Sequence, residues 1–405
     1  MKAYERLIRY AKIWTTSDDS SDTVPSTQRQ FDLAHELENE MISLGLSDVH
    51  ITDKSYVYGT IPASEGYEHS VSLGFIAHLD TAPDASGENV KPQIYQNYDG
   101  GSITLPSGRV LSPDMFPHLP SLKGRTLITS DGTTLLGADD KAGIAEILTA
   151  AERILKEDLP HGKICIAFTP DEEIGSGAAD LSIPEFGAQY AYTVDGGPEN
   201  EIEYENFNAA GASFRITGLS VHPGSAKNTM INAALVACEI NSLLPSMEIP
   251  ACTEDREGFF HLTDISGNVE AAQIDYIVRD HNENTYQARL ATLRHIEKCL
   301  NEKYGDGTVS LTIKEQYRNM IAKIRPCMHL VETAEAAMKD LGMNPLSPPV
   351  RGGTDGAQLS FRGLPCPNLG TGGYAFHGPY EHITAEGMEN AVGVILGIIS
   401  KYAGK

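Results

Sequence analysis

The sequence predicts an α/β protein, one discontinuous domain interrupted by a smaller α+β insert, and three observations carry that reading. Through the first half, apolar runs rich in β-formers alternate with helical patterns, as in a sheet covered by helices. Between about residues 208 and 318 the order becomes β-α-β-β-α-β. After it, helix and Gly-rich loop resume, so the two ends of the middle stretch, near Phe207 and Met320, must lie close together. A chain of 405 residues is also too long for one ordinary core. The expected division is 1–207 with 319–405, and 208–318 as the insert.

The first element is MKAYERLIRYAKIW, charged throughout and alternating in helical fashion. It reads as an amphipathic surface helix with Leu7, Ile8 and Ala11 on its buried side, and not as a secretion signal. VSLGFIA (71–77), KICIAF (163–168) and QYAYTV (189–194) read as strands, with the helix AGIAEILTAAERIL (142–155) among them. In the insert, strand SFRITG leads to helix NTMINAALVACEINSLL, then to strands GFFHLTDI and AAQIDYIVRD. A second helix keeps Tyr286, Leu290, Leu293, Ile296 and Leu300 on one face, and strand TVSLTI closes a ferredoxin-like order.

Composition removes several function classes. Formal charge is −24, from 55 acidic against 31 basic residues, which repels a polyanion and argues against nucleic acid as a partner. No stretch approaches the roughly 18 consecutive apolar residues of a membrane span. Cys165, Cys238, Cys252, Cys299, Cys327 and Cys366 are scattered with no CxxC spacing, which points to neither a zinc ribbon nor a disulfide framework. Cys165, inside ICIAF, reads as a buried structural thiol. A reducing, cytoplasmic compartment is expected.

Chemistry gathers in five short segments, most of them just downstream of an apolar strand. His78 and Asp80 end GFIAHLD, and two apart on a strand they project to one side. Asp139 and Asp140 open the helix in LLGADDKAG; Glu172 and Glu173 follow CIAFTP; Asp195 follows AYTV; His377 lies in GGYAFHG. Ligand sites of open α/β sheets lie at the carboxyl ends of strands. Each residue taken alone has an ordinary role as turn, cap or structural histidine. Adjacent carboxylates near a core, however, are costly unless a cation neutralises them. Two histidines with three carboxylates form a mixed N/O set that suits zinc and, less well, cobalt or manganese. Hydrolysis at such a pair of ions needs one carboxylate bridging them, about 3.5–4 Å apart, and another off the metals to take a proton.

The strings GFIAHLDT, LLGADDKAGIAEI, FTPDEEIGSG, AYTVDGG, VHPGSAK, YIVRD, RGGTDGAQLS and GGYAFHG resemble the tripeptide aminopeptidase branch of the carboxypeptidase G2-like, M20 metallopeptidases. The resemblance runs the whole chain. It implies a zinc-peptidase-like catalytic domain with a mixed sheet, an inserted ferredoxin-like lid, and two Zn2+ per subunit. By the same resemblance Asp139 bridges both ions, His78 and Asp195 complete one, and Glu173 and His377 complete the other. Glu172 is the implied general base and Asp80 holds His78. His222 would polarise the scissile carbonyl. Arg279, and Arg351 in the catalytic domain, would hold the peptide's main chain or carboxylate. One departure stands out: Ala375 occupies a position where that branch commonly has Asn, which removes an amide near His377.

The expected activity is release of the N-terminal residue from tripeptides, with a small peptide as partner, no nucleic acid and no membrane, and a homodimer left open. Rivals are a dipeptidase or N-acyl-amino-acid amidohydrolase of the same superfamily, and a non-catalytic metal or peptide binder. The presence of both Glu172 and Glu173 counts against the binder, which needs no base.

Overall fold

The apolar runs of the first half pair edge to edge. In the computed structural model, which describes residues 1–403, they form a seven-stranded mixed sheet together with a short strand from late in the chain. Its order is Ser47–Ile51, Val57–Ile61, Ile164–Thr169, Leu73–His78, Tyr190–Val194, Asn368–Leu369 and Ile202–Glu203. The middle strands run parallel: Leu73–His78 lies between Ile164–Thr169 and Tyr190–Val194 in the same direction. Both Leu73–His78 and Ile164–Thr169 are buried at every position, and strands covered on both faces read as unbroken apolar runs. Helix Ala138–Glu157 packs on Leu73–His78 and on helices Ala3–Tyr10 and Ala385–Ala403. Enclosed on most sides, it is buried at most of its positions, Lys141 and Glu146 among them. Elsewhere on the sheet, Ile76, Cys165, Ala167 and Ala191 pack with Phe186 and Leu359.

The first helix differs from its pattern. Leu7 and Ala11 are buried as expected, but Ile8 is only partly covered and Arg6 takes the interior place at 1% exposure. Its guanidinium reaches Glu40 at 2.7 Å, Thr149 at 2.9 Å and Glu152 at 2.8 Å. A buried arginine is tolerated when carboxylates and a hydroxyl meet its donors, and helical spacing cannot reveal them.

The chain divides into two compact units, the second being Glu205–Ile321 with Pro349–Gly353. Its strands Phe259–Gly267, Ala271–Asp280, Asn208–Thr217 and Val309–Tyr317 form, in that order, a wholly antiparallel sheet. Tyr286, Leu290, Leu293, Ile296 and Leu300 of helix Glu283–Tyr304 pack on Phe214, Ile274 and Val278. The other helix starts at Ala233, later than its apolar pattern, because the Asn232 side chain caps it by accepting from Leu235 N at 3.3 Å. Three buried asparagines tie the unit's two ends together. Asn206 N donates to Asn319 Oδ1 at 3.2 Å, Met320 N to Asn206 Oδ1 at 2.7 Å, and Asn319 N to Asn208 Oδ1 at 3.0 Å.

Residues 349–353 correct the sequence-based division, which gave them, and Arg351 with them, to the larger domain. Val350 N donates to Glu205 O at 2.9 Å. The Arg351 guanidinium donates to Asp255 O at 2.7 Å and Glu257 O at 3.2 Å, and stacks over Phe207 and Phe259. The Gly-rich string looks continuous with the helix Asp355–Phe361 that follows it, yet its polar contacts belong to the insert. No helix of the described residues is long and apolar enough to cross a membrane.

Candidate metal centre

Three neighbouring strands deliver the site. Leu73–His78 ends on His78, which pairs in register with Thr169 of the adjacent strand; that strand leads on to Glu172 and Glu173. Tyr190–Val194, on the other side, leads to Asp195. Asp139 stands at the start of helix Ala138–Glu157, where the backbone leaves helical geometry at Asp139 and Asp140, and His377 comes from the loop before strand His382–Thr384.

The two oxygens of Asp139 divide between the two histidines: Oδ1 is 2.9 Å from His78 Nε2 and Oδ2 is 3.3 Å from His377 Nε2. Asp195 Oδ1 lies 3.7 Å from His78 Nε2, and Glu173 Oε2 lies 3.0 Å from His377 Nε2. The potential ligand atoms of His78, Asp139 and Glu173 fall within 4.8 Å of one another, as do those of His78, Asp140 and Asp195. Asp140 is the weaker candidate, because its oxygens already accept from His78 N at 3.1 Å and Gly143 N at 3.2 Å. Glu173 Oε1 is buried with no hydrogen-bond partner. An orphaned carboxylate oxygen beside imidazole nitrogens fits a divalent cation.

Electrostatics point the same way. Burial, reinforced by Asp139, pushes the Asp195 carboxyl well above the usual carboxylate range. Burial with Asp355, Asp195 and Glu173 does the same to Glu172, against the opposing pull of His78. Burial disfavours a charged His78, yet Asp195, Asp139 and Asp80 outweigh it and hold its pKa well above the ordinary value. Hydrogen bonds to Asp139 and Glu173 push His377 up to about 11. The carboxylates therefore draw positive charge strongly, and metal binding would release the protons they retain on the histidines.

Residues 131–401 match the model of Peptidase family M20/M25/M40. The chain belongs to this family. It is 53% identical to a protein named Peptidase T from Halothermothrix orenii, with all of both chains covered. It is 50% identical to a Peptidase T from Geobacillus kaustophilus, over 99% of this chain and 98% of the relative. Its fold is similar to that of an aminopeptidase PepT from Bacillus cereus, with a TM-score of 0.79 and 22% identity, over 100% of this chain and 98% of that one. A tripeptidase from Staphylococcus aureus has a TM-score of 0.76 at 20% identity, with the same coverage. M20 enzymes are metallopeptidases, so a divalent metal belongs to the chemistry of this chain.

The groups around these candidate ligands are as organised as the candidates themselves. Asp80, fully buried, has Oδ1 3.3 Å from His78 Nδ1. Its two oxygens also accept from Glu172 N at 3.0 Å and Glu173 N at 3.2 Å, a second task the sequence does not suggest. Asp355 accepts from Thr169 Oγ1 at 2.9 Å and Ala178 N at 2.7 Å, bracing the loop after Glu173. Gly177 is required there, since a Cβ would collide with the Asp355 carboxylate. Glu381 accepts from the Asp139 backbone. Asp355 and Glu381 are absent from the sequence-derived set because a carboxylate before Gly or after Tyr reads as a turn residue.

The remaining three candidates lie in the second unit and are not among the residues gathered here. His222 is exposed, its Nδ1 accepting from Gly224 N at 3.1 Å. Arg279 donates to Gln316 Oε1 at 2.9 Å and sits 5.0 Å over the Tyr317 ring. Arg351 holds the insert carbonyls described above.

Proposed function

We propose that this chain is a cytoplasmic aminopeptidase that releases the N-terminal residue from tripeptides, using two zinc ions held by its larger unit. The observation that carries the reading is the division of the Asp139 oxygens between His78 and His377, the disposition a carboxylate needs to bridge two ions. In this reading His78 and Asp195 complete one ion's ligands, and Glu173 and His377 the other's. Bound there, divalent ions would supply Lewis acidity to the scissile carbonyl and to the attacking water.

The protein's own groups do the rest. Asp80 fixes the orientation of His78 through Nδ1 and, through two backbone amides, the place of both glutamates. Glu172 lies off the ligand set, so its carboxylate takes the proton of the attacking water and returns it to the leaving amine. His222 opposes charge developing on the carbonyl oxygen. Arg279 would grip the peptide's main chain or carboxylate, for which a guanidinium fork is suited, and Arg351 would join it only by exchanging its bonds to Asp255 O and Glu257 O for the peptide. The tripeptide preference is supported by relatives named Peptidase T and by the shared fold of a tripeptidase.

Comparing turnover of a free tripeptide, a dipeptide and an N-acetylated amino acid tests the reading. The tripeptide should be cleaved at its first bond, at least about tenfold faster per molar substrate than either alternative. Faster cleavage of the dipeptide or the acetylated amino acid would transfer the chain to a different M20 activity.

A further inference from the structure

We propose that Glu381 is a positioning residue of the metal centre: its buried carboxylate fixes the backbone that carries Asp139 and thereby sets the distance from Asp139 to His377. The proposal rests on the reading of Asp139 and His377 as metal ligands.

Glu381 is 1% exposed, and a carboxylate that deeply buried is costly unless its oxygens are satisfied. Oε2 accepts from Leu136 N at 2.7 Å and Gly137 N at 2.8 Å, and Oε1 accepts from Asp139 N at 3.0 Å. Three backbone donors of one short segment thus converge on one side chain. Gly137 stands in that segment at φ 77°, a left-handed turn that glycine adopts without strain. Charge-assisted bonds of this kind are about twice as strong as neutral ones.

The other end of Glu381 is tied to His377. Glu381 N donates to Gly378 O at 3.1 Å, closing the turn that follows His377. The next residue begins strand His382–Thr384, which pairs antiparallel with Leu127–Thr129, the strand leading towards Asp139. The segments bearing Asp139 and His377 are therefore joined twice, by a short ladder and by this carboxylate. The carboxylate is the join nearer the site. His377 Nε2 lies 3.3 Å from Asp139 Oδ2, and metal sites tolerate errors of only about 0.2 Å in ligand placement. Releasing the segment that bears Asp139 should loosen metal binding even where the fold survives.

The test titrates metal-free, full-length protein with Zn2+ against a chromophoric chelator, in the wild type, Glu381→Gln and Glu146→Gln. Glutamine keeps the shape of residue 381 but turns an N–H donor towards backbone donors. Glu146 is a comparably buried carboxylate on helix Ala138–Glu157 whose oxygens accept no hydrogen bond, so it controls for the chemical change alone. Glu381→Gln should bind Zn2+ about 10–100-fold more weakly and shift the visible absorption of the Co2+-loaded protein, while Glu146→Gln stays at the wild-type affinity. Affinity within about twofold of wild type in Glu381→Gln, or an equal loss in Glu146→Gln, would overturn the proposal. Should Glu381→Gln not fold, amide exchange in the wild type decides: the Leu136, Gly137 and Asp139 amides should be protected like the interior of helix Ala138–Glu157, and exchange at open-loop rates would refute the clamp. A wild type that binds no Zn2+ would remove the metal-centre reading itself, and that failure shows before any variant is compared.

Discussion

At the scale of single residues, Glu172 carries the proton transfer of the proposed reaction. Its backbone amide is held by Asp80 at 3.0 Å, and its carboxylate is outside the proposed ligand set. Glu172→Gln should therefore retain the metal content of the wild type, measured by elemental analysis, and lose about 10²–10⁴-fold in kcat. Loss of metal together with activity would make Glu172 a ligand instead. Ala375 makes a smaller prediction. It adopts φ 55°, two residues before His377 at φ 59°, in a region that Cβ-bearing residues enter at a cost and Asn enters more easily. Ala375→Asn should stabilise the fold by about 0.5–1 kcal/mol and raise Tm by about 1–3 °C. The sequence shows only that an amide is missing there; the left-handed backbone gives the reason an Asn would suit the place.

At the scale of elements, helix Ala138–Glu157 combines function and cost. The non-helical step at its start presents Asp139, while Glu146, further along, is fully buried with both oxygens unpaired. Burial, with Glu199 nearby, holds the Glu146 carboxyl well above the usual carboxylate range. A raised folded-state pKa favours the folded protein below the unfolded value, and that contribution is lost as pH rises through the folded one. Glu146→Met should accordingly gain stability over the wild type, by about 1–3 kcal/mol at high pH, with the gain growing from about pH 5 to 9 in thermal melts. A constant difference across that range would show that Glu146 finds a partner. The strands behave more simply. Leu73–His78 and Ile164–Thr169 are legible as unbroken apolar runs because both faces are covered, whereas the helix start at Ala233 depends on the Asn232 cap. Arg6 illustrates the limit of periodicity, since its burial depends on Glu40 and Glu152, which are remote in sequence.

At the scale of the whole molecule, the α/β class and the β-α-β-β-α-β insert are readable in the sequence, because each rests on local pattern and chain order, whereas the mixed sheet follows only from the family resemblance. The segments that meet around Asp139 are readable for a related reason: His, Asp and Glu just past apolar strands are ordinary singly, but several of them together point to a shared site. What sequence cannot carry is pairing through the backbone. Asp355 and Glu381 serve by accepting amide protons from loops distant in the chain, and the 349–353 loop joins the insert through carbonyls of residues 253–257. No periodicity marks such contacts. In the proposed function, peptide hydrolysis belongs to a pair of metal ions gathered around Asp139. The most direct measurement is tripeptidase activity of exhaustively metal-depleted protein during stepwise addition of Zn2+, with bound metal counted in parallel. Activity should be negligible without metal and reach its plateau at about two ions per chain. Full activity in the metal-free protein, or none with both ions bound, would contradict the proposed function.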